Sequence, residues 1–390
     1  MNSKFLILTS KIPKSKIKMS GIYIHIPFCN KRCNYCDFYL ITNLKVIDKF
    51  LLNLKKEISL SAELFKNESF DTVFFGGGTP SILSHLQISD LLNHIYKNFS
   101  LDNNSEICIE ANPEDFLQKD LSEYRSAGIN RMSFGVQSFV YSELKFLTRQ
   151  HTSEEAEKVI KDALKYFDNI NTDIIYSLPS QTLNDIDISL SKAIDLNVNH
   201  ISAYTLTYEE RTPLYKSLQK DLTKKNSNNT EGDFYNFVSN KLTSNGYKHY
   251  EVSNFAKEGF QSRHNLKYWE YENYIGFGPS SHSMVNGERW NNFRDIVKYS
   301  SVLSVNILPV EERYKLSNTQ KKLEYIMLAL RSTGINLKKY QENFSEEFQS
   351  VFQNSVNELV KNKYAIMSKD NFSLNEKGFA IADEIVAKYF

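Results

Sequence analysis

The chain has 390 residues, 41% of them apolar and 13% aromatic, enough for one large domain with a smaller one beside it. A formal net charge of +1 gives no electrostatic case for bulk nucleic-acid binding. No apolar run reaches membrane-spanning length, and three of the four cysteines fall within eight positions, which suits a reducing, cytoplasmic setting better than a disulfide framework.

Residues 1–18 are basic, lack acids, and carry too short an apolar run (FLIL) for a signal peptide. Residues 1–20 are expected to form an N-terminal arm, and Met19 is a second candidate start. A short buried strand follows, with Ile22, Ile24 and Ile26 alternating with Tyr23 and His25 until Pro27 stops it. The next loop carries Cys29, Cys33 and Cys36. Bridging two of them strands the third, so a metal is the better reading. Soft thiolates select zinc, copper(I) or iron–sulfur clusters, and three of them can hold three irons of a four-iron cluster. A zinc site completed by a His or by Cys108 is the alternative, although Cys108 lies in an apolar run (EICIEAN) and reads as a small buried hydrophobe.

Helical spacing over 46–66 precedes a strand, DTVFFGGGTPS (71–81), that ends in glycines. Helices are predicted over 88–99, 116–128, 153–167 (opened by a Ser-x-x-Glu-style cap) and 183–196, alternating with strands over 105–114, 129–139, 170–179 and 198–209. Six strands alternating with helices imply a parallel sheet, here a partial (β/α)6 barrel of the TIM type, in which function gathers at the C-terminal strand ends. Polar residues fall there: the cysteines, the glycine run, Glu110, Gln137, and Asp173 within strand five. Residues 216–230 read as a polar surface excursion, and an aromatic-rich stretch follows from 231, so the core is assigned to 21–288. Residues 289–390 read as a small C-terminal domain. Its helices are marked by Leu323, Ile326, Met327 and Leu330 and by Phe348, Phe352, Val356 and Leu359; a hairpin and a terminal helix complete a winged-helix-like module without a basic surplus.

The C-x3-C-x2-C loop with Tyr35 before its last Cys resembles the radical SAM family, which chelates S-adenosylmethionine (SAM) on the open iron. GGGTP is not a Walker loop, since no Gly-Lys-Ser/Thr follows, and glycines there allow close backbone approach to a ligand. YIHIPFC, FFGGGTPS, IEANPE, GINRMSFGVQSF, NTDIIYSLPSQT and HISAYTLTYEERTPLY extend the resemblance, over nearly the whole chain, to the branch of the oxygen-independent coproporphyrinogen III oxidases. That resemblance implies a 4Fe–4S cluster on Cys29, Cys33 and Cys36, and SAM held by Tyr23, Gly77, Gly78, Thr79, Glu110, Gln137, Arg149 and Asp173.

Two details separate the chain from the oxidases. Phe38 stands where they carry a fourth Cys, and only about twenty residues precede the first strand. Both point to the HemW group of haem chaperones, whose HNxxYW motif is matched by His264, Asn265, Tyr268 and Trp269. A His among aromatics can ligate haem iron or can be a hydrogen-bonded core residue; the resemblance implies the former, with His249 and His282 as weaker second ligands. It further implies haem as cargo, acceptor haemoproteins as partners and an electron donor; a homodimer and a membrane-associated acceptor are compatible with it. The alternative functions are oxidative decarboxylation of coproporphyrinogen III, a radical SAM methyltransferase, and a zinc-stabilised winged-helix regulator.

Overall fold

The computed structural model describes residues 19–390. The expected N-terminal arm lies almost wholly outside the described residues, as does the choice between Met1 and Met19 as start.

Six strands form the frame: β1 (Ser20–Ile26), β2 (Ser69–Gly77), β3 (Ser100–Ala111), β4 (Arg131–Gln137), β5 (Ile170–Tyr176) and β6 (His200–Thr205). They lie side by side in chain order and pair in parallel. Long crossovers carrying helices such as Ile47–Ser61, His85–Asn98, Ser153–Ala163 and Leu183–Asp195 permit that pairing. Alternation sorts the side chains. Ile22, Ile24, Ile26, Val73, Phe75, Ile107 and Ile109 join the apolar core. The intervening positions point inward and are mostly polar: Cys108 and Glu110, Arg131 and Ser133, Asn171 and Asp173, then His200, Ser202 and Tyr204, all lining one inner chamber.

The sheet continues past the six strands. Beyond β6 lie β8 (Asn254–Ala256) and, at the edge, β7 (Lys248–Glu251), both antiparallel additions. On the other side β9 (Tyr274–Phe277) pairs in parallel with β1. Then come β10 (His282–Val285), β11 (Glu288–Asn292) and β12 (Val310–Lys315), antiparallel, giving this sheet twelve strands among the described residues. The result is an open α/β barrel, as the alternation of strands and helices implied.

Several boundaries differ from the sequence-based expectation. The division after residue 288 falls at the first residue of β11, one strand in from the edge of the main sheet, and Tyr299 and Leu303 still belong to the main core. A second apolar core begins with Tyr325 and Ile326 and is built on the helix Asn318–Leu330. It includes the three-stranded sheet β13 (Ile335–Asn336), β15 (Asn371–Leu374) and β14 (Ala365–Met367), which with its helices gives the winged-helix-like arrangement. The segment 216–230 is not a bare excursion, because the helices Pro213–Gln219 and Asn228–Ser244 take up both its ends. The helix from Ser153 is capped by Thr152, whose hydroxyl accepts from the Glu155 N–H while Glu155 bonds back to the Thr152 N–H.

Candidate metal centre and ligand cavity

The cysteine loop leaves β1 at Pro27 and is braced from several elements. Cys29 N–H donates to Ile41 O at 3.1 Å and Ile41 N–H to Pro27 O at 2.7 Å. Asn34 Nδ2 donates to Phe146 O at 2.8 Å, and its carbonyl accepts from Leu214 N–H at 3.0 Å. Arg32 donates to Leu40 O at 3.0 Å. The short helices after β4 (Tyr141–Phe146) and β6 (Pro213–Gln219) thus clamp a segment that has no regular structure of its own.

Cys29, Cys33 and Cys36 line one cavity at the C-terminal end of the barrel, together with Gly77, Gly78, Thr79, Glu110, Gln137, Arg149 and Asp173. Tyr23 lies one layer deeper, in the inner chamber, which shares Gly77, Glu110, Ser133 and Asp173 with the outer cavity. Among the described residues, no three His, Cys, Asp or Glu side chains gather round a single-ion position. Three soft thiolate donors from one loop, facing one cavity, are the ligand set that three irons of a four-iron cluster take. Burial pushes the Cys29 thiol up to about 12 and raises Cys36 as well, so these sulfurs become thiolates when a metal displaces the proton.

Arg149 fits an anionic ligand. It is nearly fully buried, donates through one terminal nitrogen to Asn112 Oδ1 at 2.6 Å and Gly135 O at 2.7 Å, and through the other to Cys33 Sγ at 3.5 Å. Its Nε is buried without a partner. Behind it Glu114 lies 3.9 Å from the guanidinium and is held by His151 Nδ1 at 2.9 Å. On the opposite wall Glu110 accepts from Gly77 N–H at 3.1 Å. Burial first, then the charge of Asp173, pushes Glu110 up to about 8, and burial also raises Asp173. Two raised carboxyls in one cavity favour a cationic group between them.

The glycine run does more packing than expected. A Cβ on Gly77, which has φ +110°, would sit 2.6 Å from the His25 ring, and one on Gly78 would sit 2.6 Å from Phe28 O. Gly78 and Thr79 N–H groups donate to Ile26 O and Phe28 O, at 2.9 and 2.7 Å. These glycines therefore seat β2 against the start of the cysteine loop. Gln137, at the last position of β4, is also in the left-handed region at φ 73°.

The HNxxYW residues stand at the far end of the inner chamber, where His264, Asn265 and Tyr268 line it and Trp269 does not. His264 is 1% exposed, and both ring nitrogens are engaged: Nδ1 with Thr72 Oγ1 and Nε2 with Tyr268 OH, each at 2.8 Å. Burial pushes it down to about 3, so it is neutral. Its helix, Arg263–Trp269, is anchored by Glu106, which accepts from the N–H groups of Arg263 and His264 at 3.3 and 3.1 Å. In this conformation His264 is a core residue in an aromatic cluster with Phe74, Tyr23 and Tyr268, and it presents no free nitrogen to iron. The other two histidines do not join it. His249 stacks on Phe255 at 4.1 Å between ring centroids, and His282 is exposed at the start of β10.

Sequence reasoning passed over Asn112, Glu114, His151 and the inner-chamber network. In that network Asn171 donates to Asp173 and Ser133 at 2.7 Å each and accepts from His200 at 2.6 Å. The network's signal was present in the period-two polar positions of β4 to β6, whereas Asn112, Glu114 and His151 lie outside those strands and carry no such mark.

Residues 23–193 match the Radical SAM superfamily. The heme chaperone HemW of Bacillus subtilis is 32% identical, over 95% of this chain and 99% of the relative. That of Buchnera aphidicola subsp. Acyrthosiphon pisum is 34% identical, over 92% and 95%. The Escherichia coli coproporphyrinogen III oxidase HemN superposes with a TM-score of 0.81 at 22% identity, covering 95% of this chain and 89% of that one, a likeness of fold. With a thiol-rimmed barrel of that fold and kinship running the length of its relatives, the chain belongs to the HemW family of haem chaperones in the radical SAM superfamily.

Proposed function

We propose that the protein binds haem as cargo and passes it to acceptor haemoproteins, while carrying a 4Fe–4S cluster on Cys29, Cys33 and Cys36. We further propose SAM beside the cluster, held by Tyr23, Gly77, Gly78, Thr79, Glu110, Gln137, Arg149 and Asp173. The observation that carries the reading is the gathering of the three thiols and seven of those eight residues round one cavity, in a chain with full-length HemW kinship.

When bound, such a cluster would supply an iron open to SAM and a store for one electron. The chain supplies the rest. Arg149 Nε offers a buried N–H to a carboxylate. Glu110 and Asp173 face a cationic or hydroxyl-bearing part of the same ligand. Loading the thiols releases protons, so cluster uptake should be favoured by raised pH.

Haem ligation by His264 has a condition. Iron takes one ring nitrogen, so either the Tyr268 bond to Nε2 or the Thr72 bond to Nδ1 must open, while the other can persist and orient the ring. The reading places the protein in the cytoplasm with an electron donor, and it accommodates a homodimer and a membrane-associated acceptor; no helix among the described residues is long and apolar enough to cross a membrane. Phe38, 65% exposed at the cavity rim, occupies the place of the oxidases' fourth Cys and weighs against oxidase activity.

The test is a haemin titration of anaerobically reconstituted protein followed by gel filtration. Haem eluting with the protein at near-stoichiometric ratio supports the chaperone reading; protein that retains cluster and SAM but no haem refutes it.

A further inference from the structure

Two of the three candidate cluster thiols are joined by an unbroken chain of hydrogen bonds. Cys29 Sγ lies 3.1 Å from Thr79 Oγ1. Thr79 Oγ1 accepts from Asn112 Nδ2 at 3.1 Å. Asn112 Oδ1 accepts from Arg149 at 2.6 Å, and the other terminal nitrogen of Arg149 reaches Cys33 Sγ at 3.5 Å.

One end fixes the direction of every link up to the Thr79 hydroxyl, and a Cys29 thiolate, which can only accept, fixes the last. A guanidinium only donates. Asn112 must therefore turn Oδ1 to Arg149, which leaves its NH2 group facing Thr79. A hydroxyl that accepts from that NH2 keeps its single hydrogen for another partner, and the Cys29 sulfur is the atom beside it. Asn112 is itself held. Its backbone N–H donates to Ser81 Oγ at 3.2 Å, Ser81 donates to Asp115 at 2.6 Å, and Asp115 accepts from Asn30, the residue after Cys29, at 3.3 Å.

We propose that Asn112 is a positioning residue for the cluster, aiming the Thr79 hydroxyl at the Cys29 sulfur and steadying Arg149 against Cys33. This rests on the cluster reading above and adds to it a residue that touches neither iron nor thiol. Hydrogen bonds donated to cluster thiolates draw charge from the sulfur and favour the reduced, more negative state. Asn112 thereby raises the midpoint potential of the cluster through two donors at once.

The experiment compares full-length wild type, Asn112→Ala, Thr79→Val, Thr79→Ser and the Asn112→Ala/Thr79→Val double variant, each reconstituted anaerobically. Iron is counted, and the midpoint potential is read by EPR-monitored redox titration. The expected result is unchanged iron content with a more negative midpoint in Asn112→Ala and Thr79→Val. Thr79→Ser stays near wild type, and the double variant shifts by less than the sum of the singles, because both act on one hydroxyl. A wild-type midpoint in fully loaded Asn112→Ala overturns the proposal, as does strict additivity. If Asn112→Ala takes up no iron, the Thr79 pair carries the test: a fall with Val and none with Ser supports the relay, and equal midpoints overturn it. Wild-type protein that takes up no iron is a different outcome, which sinks the cluster reading itself.

Discussion

Replacing His264 with Ala should cost stability before it costs haem. The ring is 1% exposed and lies 5.1 Å from the Phe74 ring and 5.2 Å from that of Tyr268, between centroids. Removing a buried ring of this size costs about 3–5 kcal/mol through lost packing and a residual cavity. It also orphans the Thr72 hydroxyl, a group that is 0% exposed, at about 1–3 kcal/mol. A loss of at least about 4 kcal/mol is expected, a large share of the roughly 5–15 kcal/mol that keeps a domain folded. The assay is urea unfolding of apo protein followed by fluorescence of Trp269 and Trp290, the only two tryptophans. Trp269 reports on the same helix. A loss under about 1 kcal/mol would refute the reasoning, because it would mean the ring is not locked between Thr72 and Tyr268. Such a result, together with a lost Soret band, would favour a His264 already free to bind iron.

Replacing all three of Cys29, Cys33 and Cys36 with Ala should abolish iron and sulfide uptake, measured by chemical analysis after reconstitution; four irons retained would refute the ligand set. Glu57 is buried, accepts from Gly278 N–H, Asn292 Nδ2 and Tyr299 OH at 2.9, 2.6 and 2.6 Å, and is pushed by burial from 4.5 up to about 7. Its folded pKa lies above its unfolded one, so its contribution is fully present below pH 4.5 and is lost as pH rises to about 7. That amounts to about 3 kcal/mol, and Glu57→Gln should flatten this part of the stability–pH curve; an unchanged slope rules the assignment out. Gly77→Ala should disrupt the cavity, since φ is +110° and its Cβ meets the His25 ring at 2.6 Å, and should show as insoluble or cluster-free protein. Gly232→Ala, in the helix Asn228–Ser244 with nothing within 4 Å of the added carbon, should instead stabilise by about 0.5–1 kcal/mol in thermal unfolding. Equal effects at the two glycines would contradict the contrast.

The six-strand frame was legible because each strand announces itself locally, by alternation, and ends where Pro27, the glycine run or a capped helix begins. The edge strands were not. Val310–Lys315 reads VEERYK and is mostly exposed, so it carries no apolar alternation to mark it as part of the main sheet. For the same reason the boundary was set at 288. The cysteines stood out as rare residues at close spacing, and the SAM candidates at strand ends came with the family resemblance. Asn112 and Glu106 were invisible for another reason. Their partners, Arg149 and the helix from Arg263, lie 37 and more than 150 positions away, and no local pattern encodes such a pairing. His264 shows the limit from the other side: the sequence supplied an imidazole beside aromatics, but whether its nitrogens are free depends on Thr72, nearly two hundred residues upstream.

The braces of the cysteine loop set a timetable for its assembly. β1 is flanked by β2 and by β9, which ends at Phe277. Further supports arrive with Leu214 N–H on Asn34 O, Arg294 on Asp37 O and Ile296 N–H on the Tyr39 hydroxyl. During synthesis, therefore, the thiols leave the ribosome early, while the last strut of their scaffold is made some 260 residues after Cys36. At about 5–20 residues per second that interval lasts roughly 13–50 seconds. The nascent thiols spend it without their native clamps, open to oxidation and to stray metal ions. If the thiols take a cluster as proposed, loading that needs the finished scaffold follows translation, and a chain ending before β9 should be a poor recipient however much iron and sulfide it is offered.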